Sequence, residues 1–132
     1  AYMAPERFAS GSADARADIY ALACVLHEAL TGQLPFPNVS NAELIAAHMR
    51  HPPPRPSAVR AGVPTAMDGV IAVGMAKDPG ARYATAKDLA RAAKAALAAA
   101  GNAGCFRQAF PDRITAAWSA APAATCRANG AD

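Results

Sequence analysis

The chain has 132 residues, the size of one domain, and 53% of them are apolar, with alanine supplying much of that share. Its formal charge of +3 comes from Lys and Arg residues scattered singly, with no basic helix face and no aromatic platform, so no nucleic-acid partner is expected. The longest apolar run, Ile19 to Leu26, is too short to cross a bilayer, and no charged-then-apolar signal opens the sequence.

In chain order, residues 1 to 17 read as loop, with Pro5 and Gly11-Ser12-Ala13-Asp14 supplying turn chemistry. The first long helix is predicted from Asp18, a preferred N-cap residue whose charge suits the positive end of the helix dipole. Ile19, Leu22, Ala23, Leu26, Ala29 and Leu30 recur at helical spacing, and Ala21, Cys24 and Val25 make the remaining face apolar too. A helix apolar nearly all round is expected to be the buried axis of the fold. Gly32 supplies its left-handed stop.

Ser40 and Glu43 form a capping box for a short helix whose stripe is Leu44, Ile45, His48 and Met49. Pro52-Pro53-Pro54 ends it, and the stretch through Pro56 is predicted extended, a rigid connector rather than a Pro-rich ligand. Thr65 and Asp68 are predicted to cap a third helix with Met67, Val70, Ile71 and Met75 inward, broken at Asp78-Pro79-Gly80. Thr85 with Asp88 starts the last, where Leu89, Ala93, Leu97 and Ala100 share a face as far as Gly101. Four principal helices and no strand make the class all-α.

Beyond Gly101 the period is lost, and Ala120 to Asp132 are expected to be disordered for want of apolar area to bury. Phe106, Phe110, Ile114 and Trp118 recur every four residues as a marginal helix interrupted by Pro111. Cys24, Cys105 and Cys126 are odd in number and widely spaced, which fits free thiols in a reducing, cytoplasmic setting. Cys24 and His27 stand three apart, but no second pair lies at ligand spacing, so no metal site is expected.

Four stretches carry a resemblance: Ala4-Pro5-Glu6, then Asp18-Ile19-Tyr20-Ala21-Leu22, then Thr31-Gly32-Gln33-Leu34-Pro35-Phe36, then Asp78-Pro79-Gly80-Ala81-Arg82-Tyr83. In that order they resemble the later landmarks of protein kinases, most closely the bacterial eukaryotic-like Ser/Thr protein kinases of mycobacterial type. The resemblance covers Tyr2 to about Ala98 and implies a helical C-lobe portion of the kinase fold over residues 1–100, with a largely disordered linker and tail over 101–132.

What the resemblance implies about single residues follows from those matches. Glu6 would pair with Arg82, and Asp18 matches the Asp that braces the backbone of the kinase catalytic loop. Tyr2, Met3 and Ala4 would lie beside the peptide substrate in a complete kinase. The helix from Asn41 to Arg50 resembles a docking helix, with Ile45 and Met49 as anchors, although core packing would produce the same stripe.

Phosphoryl transfer needs a Gly-rich cover over the phosphates, a strand Lys, a catalytic Asp with its Asn, and an Asp for Mg²⁺. The sequence contains no Gly-x-Gly-x-x-Gly, no His-Arg-Asp and no Asp-Phe-Gly. No catalytic residue and no cofactor are therefore expected in this chain, ATP and Mg²⁺ belonging to a complete parent. Opening inside a motif and without Met, the chain reads as part of a longer Ser/Thr kinase, whose relatives often carry a membrane helix after the kinase domain. The alternative is a non-catalytic interaction module or decayed kinase remnant that binds protein partners or itself.

Overall fold

The computed structural model describes residues 1–11 and 14–100, and every regular element among them is helical. These are α1 (Pro5–Ala9), α2 (Ala15–Thr31), α3 (Asn41–Arg50), α4 (Pro56–Val59), α5 (Ala66–Gly74) and α6 (Ala86–Ala99), with a 3-10 turn at Pro79–Ala81. The expectations for Cys105, Cys126, the Phe106–Trp118 repeat and the disordered tail lie outside the described residues.

Local chemistry sets the boundaries. Pro5 stands at the first position of α1, where its fixed torsion fits a helix and its missing N–H would have no partner anyway. A helical turn thus replaces part of the expected loop. Asp14, extended at φ −119° and ψ 178°, accepts hydrogen bonds from the N–H groups of Arg16 and Ala17 and so caps α2. This corrects the expectation for Asp18, which lies exposed in the first turn of a helix already under way and caps nothing. Gly32 ends α2 at φ 76°, its N–H bonded to the Glu28 carbonyl.

At α3 the capping box forms in both directions between Ser40 and Glu43. The Pro-rich connector is extended only as far as Arg55, because Pro56 begins the single turn α4. Thr65 does not cap α5, because its backbone is already helical (φ −60°, ψ −26°) and its side chain makes no capping bond. Asp68 is taken by α4 instead, accepting from the Ser57 N–H at 2.9 Å, the Ser57 hydroxyl at 2.6 Å and Arg55 Nε at 3.1 Å. Thr85 caps α6 as expected, accepting from the Asp88 N–H.

Two apolar clusters form the interior. One joins Ile19, Tyr20, Ala23 and Cys24 of α2 to Ile71, Met75 and Leu89, with Ala4 of the opening segment beneath. The other joins Leu30 to Val63, Met67, Val70, Ala93 and Ala96, and Leu26 and Tyr83 pack against both. Helices α2 and α5 approach so closely that a Cβ on Gly74 would stand 2.6 Å from Ala23 Cβ. Yet α2 is not enclosed on every side. Leu22 and Val25 remain 39% and 47% exposed, a correction to the expected fully buried axis.

Candidate functional site

Arg82 follows the 3-10 turn, and its side chain is fully enclosed. Its Nη1 and Nη2 donate to the two carboxylate oxygens of Glu6 at 2.7 and 2.8 Å, a bidentate fork. The other donors reach backbone carbonyls: Nε to Ala76 at 2.7 Å, Nη1 to Arg16 at 2.9 Å and Nη2 to Lys77 at 3.3 Å. A guanidinium has five N–H groups, and all five are engaged. Its Cζ also lies 4.9 Å from the centroid of the Tyr20 ring, so the cation is held by a π-face as well as by a carboxylate.

Hydrogen bonding from Arg82 holds the Glu6 carboxyl below its ordinary range, against an opposing push from desolvation. The side chain of Arg16 donates to the carbonyls of Pro79 and Gly80 at 2.9 and 3.3 Å, so the start of α2 is clamped to the turn that carries Arg82. The fork therefore fixes the Ala4-Pro5-Glu6 segment on α2 and on the chain between α5 and α6.

The other residues singled out in the sequence are not gathered around this fork. Tyr2 donates its hydroxyl to the Glu28 carboxylate at 2.6 Å, pinning the opening segment along α2, while Met3 points to solvent and Ala4 is buried. Asp18 shares a face of α2 with Leu22 and Val25, at helical spacing and open to solvent. On α3, Ile45 and Met49 are each 40% exposed, whereas Ala47 and His48 are buried, so the inward face is one position round from the expected stripe.

A second polar cluster, around Tyr20, His48 and Lys77, has no counterpart in the sequence reading. Tyr20 Oη lies 2.8 Å from His48 Nδ1, and Lys77 Nζ donates to the carbonyls of His48 at 2.8 Å and Ala47 at 3.4 Å. Burial pushes the Tyr20 hydroxyl and the Cys24 thiol up, the latter to about 12, so Cys24 is a protonated, inert core residue. It offers no ligand with His27, whose Nδ1 faces the Gln33 carbonyl at 3.2 Å. Among the described residues no group of three His, Cys, Asp or Glu side chains could hold a metal ion. The residues present do not fit ATP–Mg²⁺, since neither a phosphate-cradling loop nor a metal-holding carboxylate set occurs among them.

Helices around a central α2, with an Ala-Pro-Glu segment forked to a distant buried Arg, define the helical lobe of a protein kinase. The family model of protein tyrosine and serine/threonine kinases matches residues 1–90, and the chain belongs to that family. Among curated proteins it is similar to the serine/threonine-protein kinase PknH of Mycobacterium tuberculosis, with 57% identity over 96 residues, 73% of this chain and 15% of that protein. It is similar also to PknE of the same organism, at 56% over 99 residues (75% and 17%), and to PknD, at 58% over 97 (73% and 15%). The chain thus spans 15–17% of the length of these relatives. No helix among the described residues is long and apolar enough to cross a membrane.

Proposed function

We propose that residues 1–100 serve as the helical scaffold and substrate-facing end of a Ser/Thr protein kinase domain whose complete form moves the γ-phosphoryl of ATP to a protein Ser or Thr hydroxyl. Residues 101–132 are then linker and tail. The observation that carries this reading is the five-donor seat of Arg82, which fixes the Ala4-Pro5-Glu6 segment in one place on α2. In the complete domain Tyr2, Met3 and Ala4 line the path of the peptide, and Asp18, exposed on the open face of α2, braces the catalytic loop.

ATP and Mg²⁺ are bound by segments of the complete kinase that this chain does not contain, so the chain alone has no phosphotransfer activity. Titration calorimetry with ATP–Mg²⁺ is expected to give no saturable heat at micromolar concentration, and a saturable signal would overturn this. A chimera tests the positive claim. Residues 1–100 replace the matching segment of Mycobacterium tuberculosis PknH, and the chimera is expected to phosphorylate a protein substrate, with activity lost on Arg82→Ala. A folded chimera with no transfer would count against the reading.

The exposure of Ile45 and Met49 favours a second role for the same piece, docking a protein partner along α3. A cytoplasmic setting is proposed with both roles, supported by the unpaired Cys24 thiol.

A further inference from the structure

Helix α3 has only two buried residues, Ala47 and His48, so its seat on the domain depends on few contacts. His48 is fully buried, and its ring meets the edge of Phe36 with centroids 5.1 Å apart. Lys77 Nζ grips the carbonyls of Ala47 and His48 while lying 5.9 and 5.5 Å from the Tyr20 and Phe36 ring centroids. His48 Nδ1 is engaged with the Tyr20 hydroxyl, and its Nε2 is buried with no hydrogen-bond partner.

That arrangement suits a neutral imidazole and resists a charged one. A neutral ring satisfies the Tyr20 hydroxyl with Nδ1 alone. An imidazolium carries N–H on both nitrogens: the Tyr20 oxygen can accept the one on Nδ1, but its own hydroxyl hydrogen then loses its acceptor, while the Nε2 hydrogen is present in both forms and does not distinguish them. Burial of His48, together with the Lys77 ammonium, outweighs a hydrogen bond with the Ala1 backbone that favours the charged ring. From α2 comes the Tyr20 phenol, and from the segment after α5 comes the Lys77 ammonium. The opening segment brings the backbone of Ala1, and the 33–37 loop brings the Phe36 ring. The α1 carboxylate, Glu6, is already forked to Arg82, and His51 lies against Phe36 at 6.2 Å between centroids. The side-chain charge acting on His48, that of Lys77, is positive.

We propose that α3 is an acid-released element, docked on α2 through neutral His48 and freed when that ring takes up a proton. Desolvation, with the Lys77 charge added, holds the His48 imidazole below its ordinary value against the hydrogen bond from the Ala1 backbone, in the direction the geometry requires. Docking is then complete above the ordinary imidazole value of about 6.5 and is lost as pH falls from there toward the depressed value of the docked ring. Because α3 carries Ile45 and Met49, acidification also rearranges the most accessible apolar side chains of that helix.

Hydrogen exchange on the 132-residue chain tests the device, corrected for intrinsic rates, at about pH 7.5 and about pH 5.5. Protection across 41–50 is expected to fall by up to about ten-fold for each unit separating the free and docked pKa values, while α5 and α6 change far less. His48→Asn retains an acceptor near the Nδ1 position and cannot take up a proton, so its α3 protection should be flat with pH. Unchanged protection in the parent chain overturns the proposal. So does an unaltered pH response in His48→Asn, which would assign the effect to His27, the other buried imidazole. If His48→Asn fails to dock at either pH, titration of the parent His48 ring by NMR decides. A midpoint below about 6.5 that tracks the loss of α3 protection supports the device, and one at or above that value sinks it.

Discussion

Truncating Arg82 would remove a fork, three carbonyl contacts and a cation over an aromatic face at once. Glu6, whose side chain is only 19% exposed, would keep its charge with little water to solvate it. Arg82→Ala is therefore expected to destabilise the fold by about 3–5 kcal/mol, while Arg91→Ala, an exposed partner of Asp88, costs under about 0.5. Equal midpoints in chemical denaturation would remove the fork from any structural role. Acid should act on the same side chains in two stages. The His27 and His48 imidazoles are held low chiefly by desolvation, so the stability of their neutral forms is complete above about pH 6.5 and lost below it. The Glu6 carboxyl is held low chiefly by its bonds to Arg82, so its contribution is complete above about pH 4.3 and disappears as pH falls through its folded value. Denaturation midpoints measured against pH should show both steps, with Glu6→Gln weakening the lower one, to which the Asp68 carboxyl, held low against desolvation by Ser57 and Arg55, also contributes. The fork was readable only through kinship, because no local pattern links charges 76 residues apart. The Tyr20–His48–Lys77 cluster left no trace in the sequence, since its spacing follows from how three separate segments meet.

Helix boundaries were legible wherever the signal is local. The Ser40–Glu43 box lies within four residues and marks the start of α3 without help from the rest of the fold. The start of α2 misled because its hydrophobic period becomes strong only at Ile19, although buried Ala17 already belongs to the helix and adds little apolar signal. The two Asp residues can be told apart by substitution. Asp14→Ala should cost about 0.5–2 kcal/mol and Asp18→Ala under about 0.5, as read from urea midpoints, and the reverse order would restore Asp18 as the cap. At Thr65 the expected chemistry was present, but Asp68 is engaged by α4, a competition that emerges only once the chain doubles back. The approach of α5 to α2 reverses a familiar rule. Glycine to alanine inside a helix normally stabilises, yet Gly74→Ala drives a methyl group onto Ala23, and a loss of about 1–3 kcal/mol is expected in thermal or chemical melts.

Across the whole molecule, the apolar circumference of α2 exceeds what the described helices cover. An all-round hydrophobic pattern announces a helix made to be surrounded, and the sequence conveyed that much. It could not convey that Leu22 and Val25 would remain open, because coverage depends on what packs there rather than on α2 itself. These exposed side chains are expected to drive self-association or dye binding at micromolar concentration, measurable by light scattering and a hydrophobic-dye titration. Leu22→Lys with Val25→Lys should suppress both, and a parent chain that is already monodisperse and dye-free would refute the expectation. The seat of Arg82 bears finally on time as well as stability. Its bonds to Glu6 and Arg16 join residues 76 and 66 positions apart, so they require nearly the entire domain to be assembled before they form. They should be absent from the folding transition state. Arg82→Ala would then leave the refolding rate close to that of the parent and appear almost wholly as faster unfolding, making this fork the latch that sets how long the native state lasts.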